Sequence, residues 1–150
     1  MSLFTDTISQ NLYCNVATVT LDGMPWNTPL FYVYHQNKIY WWSPLKAQHS
    51  QNIIHRPEIF ITIFNSQLPE GKGKGIYIRA SAKALENNVQ IRDAIKIYNA
   101  RSTVFKLSMN NSSGKAPTRI FVAQLGEKWT NVDGEDRGYF IDTREPIDES

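Results

Sequence analysis

The sequence predicts a mainly β chain of the α+β kind, folded as one antiparallel β-barrel with short helical crossovers. Apolar residues alternate at period two over much of the 150 residues, which is the pattern of strands that bury one face. Turn signals such as Asp22-Gly23 cut that pattern into short runs. One run, residues 58–65, is apolar on both sides, with Ile59, Ile61 and Ile63 alternating with Phe60 and Phe64. Both of its faces must be covered, by a closed barrel or by a second subunit.

The elements follow in chain order. Leu3, Phe4, Ile8 and Leu12 recur at helical spacing, with Asp6 near the start, and predict an amphipathic helix over 3–12 that packs on the sheet. From Asn15 onward Val16, Thr18 and Thr20 face one way and Ala17, Val19 and Leu21 the other, until Asp22-Gly23 closes a hairpin. "PWNTPLFYVYH" is the returning strand and "QNK" turns it into "KIYWWS", so a three-stranded meander is expected. A helix over 44–54 precedes the two-sided strand. "QLPEGKGKG" is a glycine- and lysine-rich loop, and "IYIRASAKAL" is a fifth strand with Ile76, Ile78, Ala80 and Ala82 on one side. Val89, Ile91, Ile95 and Tyr98 predict a core-facing helix over 88–100, and "NNSSGKAP" is a loop by composition. "RIFVAQLGEKWTNV" and "RGYFIDT" bring the expected strands to seven, followed by the polar tail "REPIDES".

With 41% apolar and 12% aromatic residues the chain can fill one core, and it is too short for two comfortable domains. Net charge is +2 with the basic residues spread out, so nothing in the bulk electrostatics demands nucleic acid. The single Cys14 forms no internal disulfide and reads as a small buried thiol. "MSLFTDTISQ" lacks the layout of a secretory signal, and no apolar run nears the roughly 18 residues of a membrane span. A cytoplasmic protein without a membrane partner is the expectation. His35, His49 and His55 are too scattered, and too poorly accompanied by other ligands, to indicate a metal. "GKGKG" lacks the Gly-Lys-Ser/Thr ending and the following helix of a phosphate loop.

The chemistry concentrates in "IYWWSPLKAQHSQNIIHRPEIFITIF", residues 39–64. Ser43 before Pro44 reads as a helix start, and Arg56-Pro57 stops the helix. A helix N-terminus suits a phosphate, and Ser43, Lys46, His49 and Ser50 supply four donors on one side of it. The plainer alternative is an ordinary serine-proline helix start with a solvated lysine. Trp42 and Tyr40 share a strand face beside this point, with Trp41 opposite, so an aromatic phosphate ester would find a surface for its ring. Trp41 is the better candidate for the core.

In its order of elements the chain resembles the pyridoxamine 5'-phosphate oxidase-like FMN-binding split barrels. The resemblance is carried by "ATVTLDGMPWNTPLFYVYHQNKIYWWSPLKAQHSQNIIHRPEIFITIF" and then "GIYIRASAKAL", over about residues 14–85. It implies an antiparallel split β-barrel and a homodimer with FMN at the subunit interface. It also implies a flavin ring along the second strand near Asn27 and Thr28, with ribityl and phosphate held by Trp42, Ser43 and His49. Trp129 is a candidate either to cover the flavin from the partner chain or, equally, to pack in the core. Where the oxidase carries an arginine-lysine pair this chain has Gln48-His49, and Asn27 stands where arginine is usual. Lys46 replaces part of that charge, and the phosphate grip becomes more pH-dependent. Nothing in the sequence names a catalytic side chain. The leading reading is an oxidoreductase that moves electrons or hydride through FMN, with a small-molecule substrate or electron donor. The alternatives are a non-catalytic flavin-binding or flavin-sensing protein, or a barrel using deazaflavin or haem.

Overall fold

The computed structural model describes residues 2–148. Its elements are α1 (Leu3–Gln10), β1 (Tyr13–Val19), β2 (Pro25–Phe31), β3 (Val33–His35), β4 (Lys38–Pro44), α2 (Gln48–His55), β5 (Glu58–Ile63), β6 (Ile76–Ala84), α3 (Asn88–Arg101), α4 (Met109–Ser112), β7 (Thr118–Asp136) and β8 (Tyr139–Pro146). The strands pair antiparallel in the order β2-β1-β5-β6-β7-β4-β3, and β8 extends β7.

That order begins at β2 and ends at β3, and only Tyr32 separates these two strands in the chain. The sheet curls until its two edges meet on one continuous segment. Closure is incomplete. β3 covers β4 only over Lys38–Tyr40, and β2 pairs only with β1. Among the described residues, the outer edges of β2 and of β4 beyond Tyr40 therefore carry no strand partner, and this gap makes the barrel a split one.

The expected meander is corrected here. The run from Pro25 to His35 is two strands, because Tyr32 leaves the ladder for other partners. Its N–H donates to the Leu12 carbonyl at 3.3 Å, its hydroxyl donates to the Ile8 carbonyl at 2.7 Å, and its own carbonyl accepts from the Arg101 guanidinium. Seven expected strands become eight. The β3–β4 turn is tight, with Gln36 and Asn37 at φ of 47° and 59°, as a two-residue hairpin of this hand requires.

The inward face of the barrel holds Cys14, Val16, Ile39, Trp41, Ile59, Ile61, Ile63, Ile76, Ile78 and Phe121, all buried. Trp41 stacks on Phe121 with the rings 5.8 Å apart and 5° from parallel. Burial pushes the Cys14 thiol up to about 12, so it is a protonated core group. A second layer forms where α3 and α4 pack outside β3, β4 and β7, joining Val33, Tyr40 and Ile120 to Ile91, Ala94 and Tyr98. Asn87 caps α3 by accepting from the N–H groups of Val89 and Gln90. Val89 itself, expected in the core stripe, is exposed, as is Leu12, which lies beyond the end of α1.

β7 is 19 residues long and pairs in turn with β4, β6 and β8. It bends at a bulge where the β6 register shifts between Ile78 and Ala80, opposite Gly126. A Cβ at Gly126 would lie 3.1 Å from the Arg79 carbonyl oxygen, so glycine permits the close approach. Among the described residues no helix is long and apolar enough to cross a membrane.

Candidate functional site

Helix α2 starts later than the serine-proline pair suggests. Ser43 and Pro44 are the last residues of β4, paired with Arg119 and Thr118 of β7. The chain then turns through residues 45–47, and α2 begins at Gln48 with Ala47 as its N-cap, without a side-chain cap. Strand pairing outcompetes capping here because β7 already presents a ladder, and a proline is tolerated at a strand end. Lys46 is accordingly exposed in the turn and lies outside the first turn of the helix.

The residues around this turn still form a polar cluster. Ser43 shares the inward face with Ile39 and Trp41, is 2% exposed, and its hydroxyl lies 2.9 Å from His49 Nε2. Ser50 is wholly buried, and its hydroxyl has no hydrogen-bond partner. The Trp41 indole N–H is in the same position. Further along α2, Gln48 donates to Asn52 Oδ1 at 2.7 Å, and Asn52 donates to Thr18 Oγ1 at 2.9 Å. This ties the helix to β1. Unsatisfied buried hydroxyls carry a desolvation cost of order 1–3 kcal/mol, which a bound polar ligand would relieve.

Arg119 escaped the sequence reading. It pairs directly with Ser43 across the β4–β7 ladder, so the two side chains share a face, and it is 5% exposed. Only the strand register, which the sequence does not display, puts this cation beside the serine.

Burial lowers the pKa of His49 from the ordinary 6.5. The ring is therefore neutral in the folded protein near pH 7. The unfolded chain protonates first as pH falls, so the stability contributed by the neutral ring is intact above about 6.5 and declines as pH drops toward the lower folded-state value. Replacing His49 by Gln is expected to flatten the stability profile as pH falls below about 6.5, read as the urea midpoint at each pH.

The other candidates lie elsewhere. Trp42 points to the opposite face of β4, where its indole N–H donates to the Asn111 carbonyl at 3.0 Å and its ring lies 6.5 Å from Phe105. It belongs to the layer under α3 and α4. Thr28 pairs with Val16 on the barrel side of β2, whereas Asn27 pairs with Ala17 on the outer side. Asn27 lines an open groove of about 540 Å³ with Ala17, Trp26, Thr62 and Phe64. Trp129 lies on the same outer sheet surface, stacked on Phe60 at 6.2 Å, and the Arg144 guanidinium sits 3.8 Å over the Tyr77 ring. The two-sided strand pattern signalled Phe60; nothing in the sequence singled out Arg144 or Tyr77.

No family model matches the chain, and no curated protein does either. Solved structures do match. An FAD-binding protein from Mesorhizobium loti is similar over 87% of this chain and 94% of its own, at 16% identity and a TM-score of 0.63. A Listeria innocua protein described as a pyridoxamine 5'-phosphate oxidase is similar over 83% of this chain and 92% of its own, at 10% identity and a TM-score of 0.63. A haem-binding protein from Mycobacterium smegmatis is similar over 91% of this chain, at 17% identity and a TM-score of 0.60, and the chain spans 55% of that protein's length. At these identities the likeness concerns the backbone, and the chain has the antiparallel split β-barrel fold that these structures share.

Proposed function

We propose that this protein is an FMN-binding oxidoreductase that works as a homodimer, the cofactor lying between the barrel and a second copy of the chain. The observation that carries the reading is the buried Ser43–His49 hydrogen bond beside the unpaired edge of β4, with the hydroxyl of Ser50, next in sequence, buried and without a hydrogen-bond partner. An unpaired buried hydroxyl is uncommon in a packed core, and a cofactor phosphate within reach would satisfy it. The flavin-binding neighbour of the same fold adds support.

In this reading Ser43, His49 and Ser50 hold the phosphate, Lys46 adds an ammonium from the exposed turn, and Arg119 adds positive potential from the neighbouring strand. Asn27 and the backbone of Thr28 offer donors and acceptors along the free edge of β2 to the edge of the ring system. Trp129 and Phe60 supply an apolar outer surface for the second subunit and the ring it encloses. The bound flavin supplies the electron or hydride transfer, accepting reducing equivalents from a small-molecule donor such as NADH or NADPH. The protein's share is to anchor, orient and exclude water, and no side chain is assigned as acid or base.

Joint replacement of Lys46 and His49 by Ala is expected to weaken FMN at least tenfold more than riboflavin, because only FMN offers the dianion. Equal losses for the two ligands would refute the phosphate assignment. Reconstituted protein should show flavin absorbance that NADH or NADPH bleaches and air restores; a Soret band would put haem in its place. Sedimentation at micromolar concentration should give the mass of a dimer, and a monomer would remove the second copy from the proposal.

A further inference from the structure

A second cavity, of about 560 Å³, lies on the other side of the sheet from the barrel core, between α3 and the outward faces of β4, β6 and β7. Its volume is in the range of small-molecule sites. The strand register explains its lining. Lys38, Gln124 and Ser81 form one cross-strand row, and Tyr40, Val122 and Lys83 form the next. Lys38 and Lys83 thus stand diagonally, two strand spacings apart across the sheet and two residues apart along it, or about 12 Å between backbones. Both line the cavity. Neither ammonium makes an ion pair among the described residues.

The opposite wall is helical. Asp93 and Gln90 of α3 line it, with Ala94, and the floor is apolar through Leu85, Ala82 and Val122. Burial, together with the nearby Asp93 carboxylate, pushes the Tyr40 pKa up, so the phenol stays protonated and remains a donor within the cavity. Two cations and one anion face a partly apolar space whose charges are not paired to one another. The flavin reading uses none of these groups.

We propose that this cavity binds a small, flat organic acid, its carboxylate, sulfonate or phosphate held between Lys38 and Lys83, its ring on the Leu85 and Val122 floor, and an amino or hydroxyl group turned to Asp93. The charge complementarity is directional. The acidic end goes to the sheet and the donor end to the helix, and the reverse orientation would set like charges against each other.

The test uses two dyes of nearly the same shape. 8-Anilinonaphthalene-1-sulfonate carries an acid and an N–H, whereas N-phenyl-1-naphthylamine lacks the acid. Fluorescence titrations of the full chain, with and without saturating FMN, should give one sulfonate dye per chain, bound at least about tenfold tighter than the neutral dye. Lys38→Gln combined with Lys83→Gln should abolish that preference. Gln90→Trp, at an exposed position on the rim, should weaken both dyes. Circular dichroism should be unchanged in each variant, since none of these three side chains is buried. Equal affinity for the two dyes in the unaltered protein, a preference that survives the double replacement, or competition between the sulfonate dye and FMN would each overturn the proposal.

Discussion

Replacing Trp41 by Ala is expected to cost about 4 kcal/mol of folding stability and to lower the melting temperature by roughly 10 °C. Trp41 is fully buried, stacked on Phe121, and lies in the cluster that joins β4 to both walls of the barrel. Truncation removes one of the largest core side chains and leaves a hole between strands that are held in register by β7. Folded domains are stable by only about 5–15 kcal/mol, so the loss is a large share of the total. Trp41→Phe should behave differently. It gives up some area but also removes an indole N–H that has no partner, a group that costs about 1–3 kcal/mol to bury. The two terms nearly offset, and the variant is expected within about 1 kcal/mol of the parent. Urea unfolding followed by circular dichroism measures both, and a Phe variant as unstable as the Ala variant would show that the indole N–H is satisfied after all.

The same residue shows what the sequence discloses. Alternation along "KIYWWS" separates Trp41 from Tyr40 and Trp42, and the structure places Trp41 inward and the other two outward. Period-two alternation is local, so the strands and the barrel class could be read from it. Register and strand order are not local. The break at Tyr32, which sends β2 to one end of the sheet and β3 to the other, depends on contacts with Ile8, Leu12 and Arg101, far away in the chain. No pattern within "PLFYVYH" announces it. The late start of α2 has the same origin, since Ser43 and Pro44 are claimed by a strand that enters the sequence some seventy-five residues later. Ser43 and His49 come together even so, because they lie close in sequence. Trp42 faces away from that pair for reasons of sheet geometry, whereas Thr28 keeps to the barrel side on β2, and Asn27 and Trp129 lie on the outer sheet surface.

Arg119→Ala is expected to cost about 3 kcal/mol, nearly all of it from backbone carbonyls rather than from an ion pair. The guanidinium meets both Glu86 oxygens through Nε at 3.2 Å, but the Glu86 side chain is 65% exposed. Water screens that pair, and its share should be below about 1 kcal/mol. The remaining bonds go inward, from Nη1 to the carbonyls of Ala116 and Thr118 at 2.7 and 2.8 Å and from Nη2 to the carbonyl of Gly114. These hold the segment 114–118 against the end of β4, where the Leu45 N–H also bonds the Pro117 carbonyl at 2.9 Å. Truncation would leave several acceptors with no donor and a void on the face shared with Ser43. Lysine keeps the charge but cannot fan its donors over three carbonyls in one plane, so Arg119→Lys should recover less than half of the loss. Glu86→Gln should be nearly silent. Denaturant midpoints for the three variants decide the matter: if Glu86→Gln is as damaging as Arg119→Ala, the ion pair holds the segment, and the carbonyl cage is incidental.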